Sequence, residues 1–261
     1  MRALYISATG LSASQLSVDT IAQNLANAST TGYKAARPEF QDLMYQDLKR
    51  SGTNSTDQGT ILPVGIQIGM GVKTAAISSN TGQGSIAVTN NTLDVAIQGK
   101  GYLQVTMADG SITYTRDGSL KLNDTGIIVT NDGFAIQPSI TVPNNATSIS
   151  INANGVVQAT IQGQTTPQQL GQLQLATFPN PAGLQANGNN LFSETAASGA
   201  ALQSNPGLDG TGTLLQGSLE SSNVDSVTEI TNLISAQRAY EMNTKVLTAV
   251  DQMLQSLNQT A

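Results

Sequence analysis

The sequence predicts a mixed α and β protein: N- and C-terminal helices pairing as a coiled-coil-like stalk, with an extended linker and a central all-β domain between them. Three observations carry that reading. Apolar residues recur every seven positions near both ends of the chain. Through the middle, short alternating runs are split by turn signals. Charge is scarce, at 11% of the 261 residues, against roughly 25% in ordinary globular chains. Polarity comes instead from Ser, Thr, Asn, Gln and Gly, which a neighbouring subunit can cover without the desolvation cost of a buried charge. A Thr- and Asn-rich β-protein with a neutral surface has the same composition, so composition alone does not separate the two.

Residues 1–34 form the first element. Leu4, Leu11, Val18 and Leu25 are spaced by seven, and Ala8, Ile21, Ala22 and Ala28 broaden the stripe. Between Ala3 and Tyr33 the only charged side chain is Asp19. Ser, Thr, Asn and Gly make this a poor isolated helix, which needs a partner to form. It closes on Ser29-Thr30-Thr31-Gly32, a polar run ending in a glycine suited to a left-handed turn. Residues 35–70 follow as an extended linker, in which Arg37-Pro38 and the stretch Ser51–Gly59 read as loop.

The central domain, residues 71–219, reads as strands. Leu93–Gln98 is one, and Tyr102–Met107 is another. The second turns at Ala108-Asp109-Gly110-Ser111 into Ser111–Thr115, a hairpin. Asp117-Gly118, Asn131-Asp132-Gly133 and Asn154-Gly155 mark further turns around Ile127–Thr130, Ser148–Ile151 and Val156–Ala159. Strands at this spacing, with no helical period between them, indicate an all-β domain.

Residues 220–261 carry the second helix, from about Asp225 to Leu257. Ser226 and Glu229 have capping-box spacing. Leu233, Tyr240, Leu247 and Leu254 again recur every seven residues, with Ala236, Val250 and Leu257 on the same face. Neither Gly nor Pro interrupts a helix of roughly 50 Å. The two stripes define an expected assembly interface: Leu4, Leu11, Val18, Ile21 and Leu25 with Leu233, Tyr240, Leu247, Val250 and Leu254. An ordinary helical hairpin within one chain has the same spacing.

Composition narrows the function. Net charge is −6 with only 11 Lys plus Arg, and no basic stripe stands out, so a nucleic-acid surface is not expected. No Lys/Arg-rich amphipathic segment and no long apolar run point to membrane insertion. Polar residues interrupt the first twenty positions, which do not read as a cleaved secretory signal. Cys, His and Trp are absent, which removes the usual zinc ligands and the Ser-His and Cys-His dyads. Gly65–Gly71 and Gly99-Lys100-Gly101 lack dinucleotide or P-loop spacing. Asp94, Asp109, Asp117, Asp124 and Asp132 leave room for a carboxylate pair of the glycosidase kind, as in a peptidoglycan hydrolase, but most sit in turn contexts that explain them. No catalytic, cofactor-binding or metal residue is assigned, and no cofactor is expected.

Two end segments carry a resemblance. Asn24-Leu25-Ala26-Asn27-Ala28-Ser29-Thr30-Thr31-Gly32-Tyr33-Lys34 resembles the N-terminal signature of the bacterial flagellar basal-body rod and hook proteins. Glu229 to Lys245, with Gln237-Arg238-Ala239-Tyr240 and Asn243 at its centre, resembles their C-terminal signature. Asp94–Tyr102 and Tyr114–Ser119 look like the family's β-domain motifs. Within the family the likeness runs to the distal-rod members, through Arg2–Ile6 and through Phe40–Gln46 leading into Leu62–Gly65. Hook and proximal-rod members are the alternative. Ala28 and Ser29 depart from the usual valine and asparagine, and Tyr33 from a frequent phenylalanine.

The resemblance implies a structural subunit rather than an enzyme. It implies a helical homo-polymer, a hollow rigid shaft that transmits torque and passes export substrates. Its implied partners are other rod proteins, the hook, the bushing-ring proteins and the flagellar export apparatus. The implied location is the periplasmic basal body, reached without a cleaved signal peptide. Under the same likeness, Ser51–Gly59 is ordered between subunits rather than a free linker. Arg238 makes either an inter-subunit contact or an exposed pair with Glu241 one turn away.

Overall fold

The computed structural model describes residues 2–49, 64–164 and 166–260. Ser51–Gly59, Leu62-Pro63 and the side chain of Leu257 lie outside the described residues. The chain divides into two units. One gathers Met1–Leu25, Ala36–Ser78 and Ser226–Ala261, and the other Ala26–Ala35 and Ser79–Asp225.

The first unit holds both helices. Helix α1 spans Arg2–Ala26, 25 residues. Its hydroxyls reconcile a polar sequence with a buried face. Ser14, Ser17 and Thr20 donate to the carbonyls of Gly10, Ala13 and Leu16 at 2.9, 3.0 and 2.8 Å, so each satisfies itself on the preceding turn. The deepest positions are Ser7, Thr20, Ile21 and Asn24. Leu4, Leu11, Val18 and Leu25 are only half-buried. Three of the four deepest positions of α1 are thus polar, and of its apolar stripe only Ile21 is buried as deeply.

Paired strands support α1. Ala36–Asp42 pairs with Val72–Ser79, and Tyr45–Lys49 runs antiparallel to Ile66–Gly69 in the register Tyr45↔Gly69. The Asn24 amide grips this ribbon from both sides, donating to the Ala36 carbonyl and accepting from the Ala36 N–H, each at 2.8 Å. Fifteen residues earlier along α1, the Thr9 hydroxyl accepts from the Val72 N–H at 3.3 Å. Gly71, at φ +112°, leaves room for that contact: a Cβ there would stand 2.3 Å from the Thr9 oxygen.

Helix α2 spans Ser226–Thr260, 35 residues, and places Asp225 at the N-cap position. It meets α1 where α1 has least bulk. The Asn243 amide donates to the Ser14 hydroxyl at 3.4 Å, and a Cβ on Gly10 would stand 3.1 Å from the same amide. Leu233, Ala236, Ala239, Asn243, Leu247 and Val250 are half-buried along one seam, at steps of three or four residues. Apart from the half-buried Glu229, the other α2 side chains up to Ser256 are exposed, and no helix among the described residues is long and apolar enough to cross a membrane.

The second unit is β-rich. The hairpin read from the sequence is Tyr102–Thr106 with Ile112–Thr115. Asp109 closes it, accepting from the Ser111 N–H and hydroxyl at 2.9 and 2.6 Å. Around the hairpin a larger sheet adds Ala135–Gln137 and Leu175–Thr177, both paired with Tyr102–Thr106. Ala146–Ile151, Val156–Ile161 and Gln168–Gln172 form a separate antiparallel sheet. Between these layers Val95, Ile97, Leu103, Leu120, Ile128, Ile136, Val157, Leu173 and Leu175 make one core. Tyr102, Tyr114 and Phe178 form a second, with Tyr114 edge-on to Phe178 at 4.8 Å.

Candidate functional site

The chain passes between its units after Leu25, Ala35, Ser78 and Asp225. Inside the β-rich unit, the segments that flank those passages are bonded to one another. Asn80 donates its N–H to the Ala35 carbonyl at 2.7 Å. Asn223 accepts from the Ala35 N–H at 2.7 Å and donates to the Asn80 and Gly82 carbonyls at 2.9 and 3.0 Å. Gly32 donates its N–H to the Glu220 carbonyl at 2.8 Å. Short antiparallel pairs hold the same region, Ile86–Val88 with Ser218–Glu220 and Val95–Gln98 with Thr213–Gln216.

Three charges lie at the centre of this clasp. Glu220 accepts from the Lys34 ammonium on one oxygen and from the Arg116 Nε on the other, each at 2.6 Å. Lys34, Arg116 and Glu220 are 7%, 6% and 1% exposed, so the network is sealed from water. Backbone groups supply its other partners. The Gly84 N–H donates to Glu220 at 2.9 Å, Lys34 donates to the Gly82 carbonyl at 2.8 Å, and Arg116 donates to the carbonyls of Gly101, Gly99 and Ile97. Buried charge of this kind is tolerated only when it is paired and hydrogen-bonded as here. Arg116 also lies over the Tyr102 ring, 5.9 Å from its centroid.

Two cations share one carboxylate. Burial pulls the Lys34 ammonium below the usual lysine range, and Glu220 restores only part of that. Burial pushes Glu220 upward, but the Arg116 charge and the hydrogen bonds from Lys34, Arg116 and Gly84 outweigh it, so its carboxyl lies below the ordinary range. The sign of the pH dependence follows. A depressed carboxyl contributes stability above its unfolded pKa of about 4.3, and loses it as pH falls through the folded value. A depressed ammonium adds no loss as pH rises toward about 10.4. Urea midpoints of the β-rich unit should therefore fall between neutral pH and pH ~3. Glu220→Gln should flatten that slope, and an equal slope in both proteins would show that Glu220 is not the titrating group.

Gly32 is held to glycine by two constraints. Its φ is +68°, and a Cβ would stand 2.9 Å from both the carbonyl carbon and oxygen of Arg116. Gly32→Ala is expected to cost about 1–3 kcal/mol through strain and displacement of the Arg116 backbone. A chemical-denaturation midpoint unchanged from the parent would contradict this.

The residues named from the sequence fall in two places. Gly32 and Lys34 are buried in the clasp, with Asn27, Thr31 and Tyr33 half-buried beside them. Asn24 and Ile21 are buried in the helical unit, where Asn243, Leu233, Leu247 and Val250 are half-buried. Gln237, Arg238, Tyr240 and Leu254 are exposed, and Ala239 is half-buried. Glu220 was not singled out by sequence reasoning, and Arg116 entered only as part of the Tyr114–Ser119 motif. The available signal was their rarity, since ionisable residues are few and Glu220 stands alone in a short apolar–polar alternation.

Helices from both chain ends in one unit, a β-rich unit between them in sequence and a buried clasp at the crossings define a structural subunit. Comparison with known proteins specifies the kind. The family description "Flagella basal body rod protein" matches residues 4–34, "Flagellar hook protein FlgE/F/G D1 domain" matches 96–159, and "Flagellar basal body rod FlgEFG protein C-terminal" matches 215–260. The chain is similar to the flagellar basal-body rod protein FlgG of Caulobacter vibrioides, at 52% identity with 99% of each chain covered. It is similar to FlgG of Borreliella burgdorferi at 45%, covering 97% of this chain and 96% of the relative, and to FlgG of Bacillus subtilis at 37%, covering 98% of both. The chain belongs to the flagellar basal-body rod and hook protein family. Within it, the chain is a structural subunit of the distal rod and not an enzyme.

Proposed function

We propose that this subunit polymerises through α1 and α2 into a hollow, rigid shaft that transmits torque to the hook and passes export substrates along its bore. The observation that carries this reading is the apolar face that α2 leaves uncovered. Val227, Ile230, Ile234, Met242, Val246 and Met253 are all exposed, Val227 by 74%. Val227, Ile230 and Ile234 lie opposite the half-buried seam of Leu233, Asn243 and Leu247, and Met242, Val246 and Met253 flank it. A 35-residue helix with one seam turned to its own chain and a second apolar face bare has use for further helices. In the polymer, neighbouring copies supply them, and the terminal helices pair as a coiled-coil layer.

In this reading Leu4, Leu11, Val18, Ile21 and Leu25 pack with Leu233, Tyr240, Leu247, Val250 and Leu254 within and between copies. The strands at Ala36–Asp42 and Tyr45–Lys49 add a second packing surface, with Phe40, Met44, Tyr45 and Leu48 exposed, Met44 by 86%. That surface meets the next subunit and stiffens the shaft. The protein acts in the periplasmic part of the basal body, reached through the flagellar export apparatus. There it contacts other rod proteins, the bushing ring and the hook. Electron microscopy of the concentrated full-length chain tests the proposal. Straight tubes support it; curved, hook-like tubes would show that the shaft is not rigid and overturn that part of it.

A further inference from the structure

We propose that a cationic cleft in the β-rich unit receives an acidic turn from a second copy of this chain, a contact that rests on the rod reading above. The cleft has a volume of about 470 Å³ and is lined by Thr81, Lys100, Tyr102, Arg116, Phe178 and Pro179, among others. Its floor carries an unbalanced charge. Arg116 and Lys34 share the single carboxylate of Glu220, so the three side chains together hold one net positive charge with almost no water near it. Arg116 contributes field rather than a new hydrogen bond, because it already donates to Glu220 and to the Gly101, Gly99 and Ile97 carbonyls. Lys100 is exposed at the cleft and forms no ion pair among the described residues, which leaves its ammonium to make the direct contact. The Tyr102 and Phe178 rings, edge to face at 5.9 Å, give the cleft an apolar wall that weakens screening.

The complementary group is on the same chain. Acidic residues outnumber basic ones 17 to 11. Asp109, Asp132 and Asp209 stand on exposed turns, each followed by a glycine around which a Cβ would meet nothing within 4 Å. These are open, negatively charged tips of two or three residues. A cleft toward the small end of the roughly 300–1,000 Å³ range of binding pockets takes a tip of that size. In a homopolymer every copy presents both partners, so charge complementarity is repeated along the shaft.

The test uses full-length protein, half of it labelled with heavy nitrogen, concentrated and treated with a zero-length carbodiimide that joins amines to carboxylates in contact. Mass spectrometry should find Lys100 joined to an aspartate of the other isotope. Lys100→Glu, a change at an exposed side chain, should require roughly tenfold more protein to associate, and added salt should narrow the gap. Lys100 joined only within one copy, or not at all, overturns the proposal. So does normal association of Lys100→Glu. Protection of Lys100 by millimolar inorganic phosphate, with association unchanged, would show a small-anion site and overturn it too. Straight tubes from both wild type and Lys100→Glu would remove this contact alone; wild-type chains that never form tubes would instead remove the rod reading.

Discussion

Glu220→Leu is expected to destabilise the β-rich unit by about 3–5 kcal/mol, a large part of the ~5–15 kcal/mol that holds a domain folded. Most of that cost is not the lost attraction. It arises from leaving the Lys34 ammonium and the Arg116 guanidinium buried side by side with no carboxylate, 7% and 6% exposed. The Gly84 N–H also loses its acceptor. The variant should unfold at a clearly lower urea concentration by near-ultraviolet circular dichroism. Adding Lys34→Met should recover part of the loss, because one of the two stranded charges is then gone. A loss below about 1 kcal/mol, or no recovery in the double variant, would mean that water enters and replaces the carboxylate.

The same clasp marks the limit of what the sequence discloses. Helices and strands are local patterns. The seven-residue recurrences gave α1 and α2, and the alternation with Asp109-Gly110 gave the hairpin at Tyr102–Thr106 and Ile112–Thr115. The end motifs gave the family. The clasp joins Lys34 to Glu220 across 186 positions and Arg116 to Glu220 across 104, and no periodicity links residues so far apart. Lys34 was named only because it closes a motif.

A second difference concerns α1. Seven-residue spacing of Leu and Val suggested that these define the seam, yet Ser7, Thr20 and Asn24 lie deeper. Apolarity is a poor guide at Thr20 because its hydroxyl, donating to the Leu16 carbonyl of the preceding turn, behaves as a small, satisfied side chain. Asn24 is buried for a different reason, its amide matching both backbone groups of Ala36. The strands at Tyr45–Lys49 escaped notice because all their side chains are exposed, so no alternation of buried and solvated positions is imposed on the sequence.

Ile234→Asp is expected to abolish polymerisation while leaving the subunit folded. Ile234 is 45% exposed on the bare face of α2, so in the free chain an aspartate there meets water and costs little. In the proposed polymer a neighbouring copy covers the same position. Burying an isoleucine contributes roughly 1.5–3 kcal/mol, and an unpaired carboxylate in its place reverses the sign. Every copy in a helical polymer carries the defect, so the penalty recurs at each added subunit. Leu247→Asp and Leu25→Asp should also prevent assembly, but they strike half-buried positions and should loosen the helical unit as well. The comparison is therefore informative: all three variants should fail to form tubes by electron microscopy, and only Ile234→Asp should keep the parent's helical circular dichroism. Normal tubes from Ile234→Asp would place the assembly surface elsewhere, with the exposed Met44 and Tyr45 ribbon the next face to disrupt.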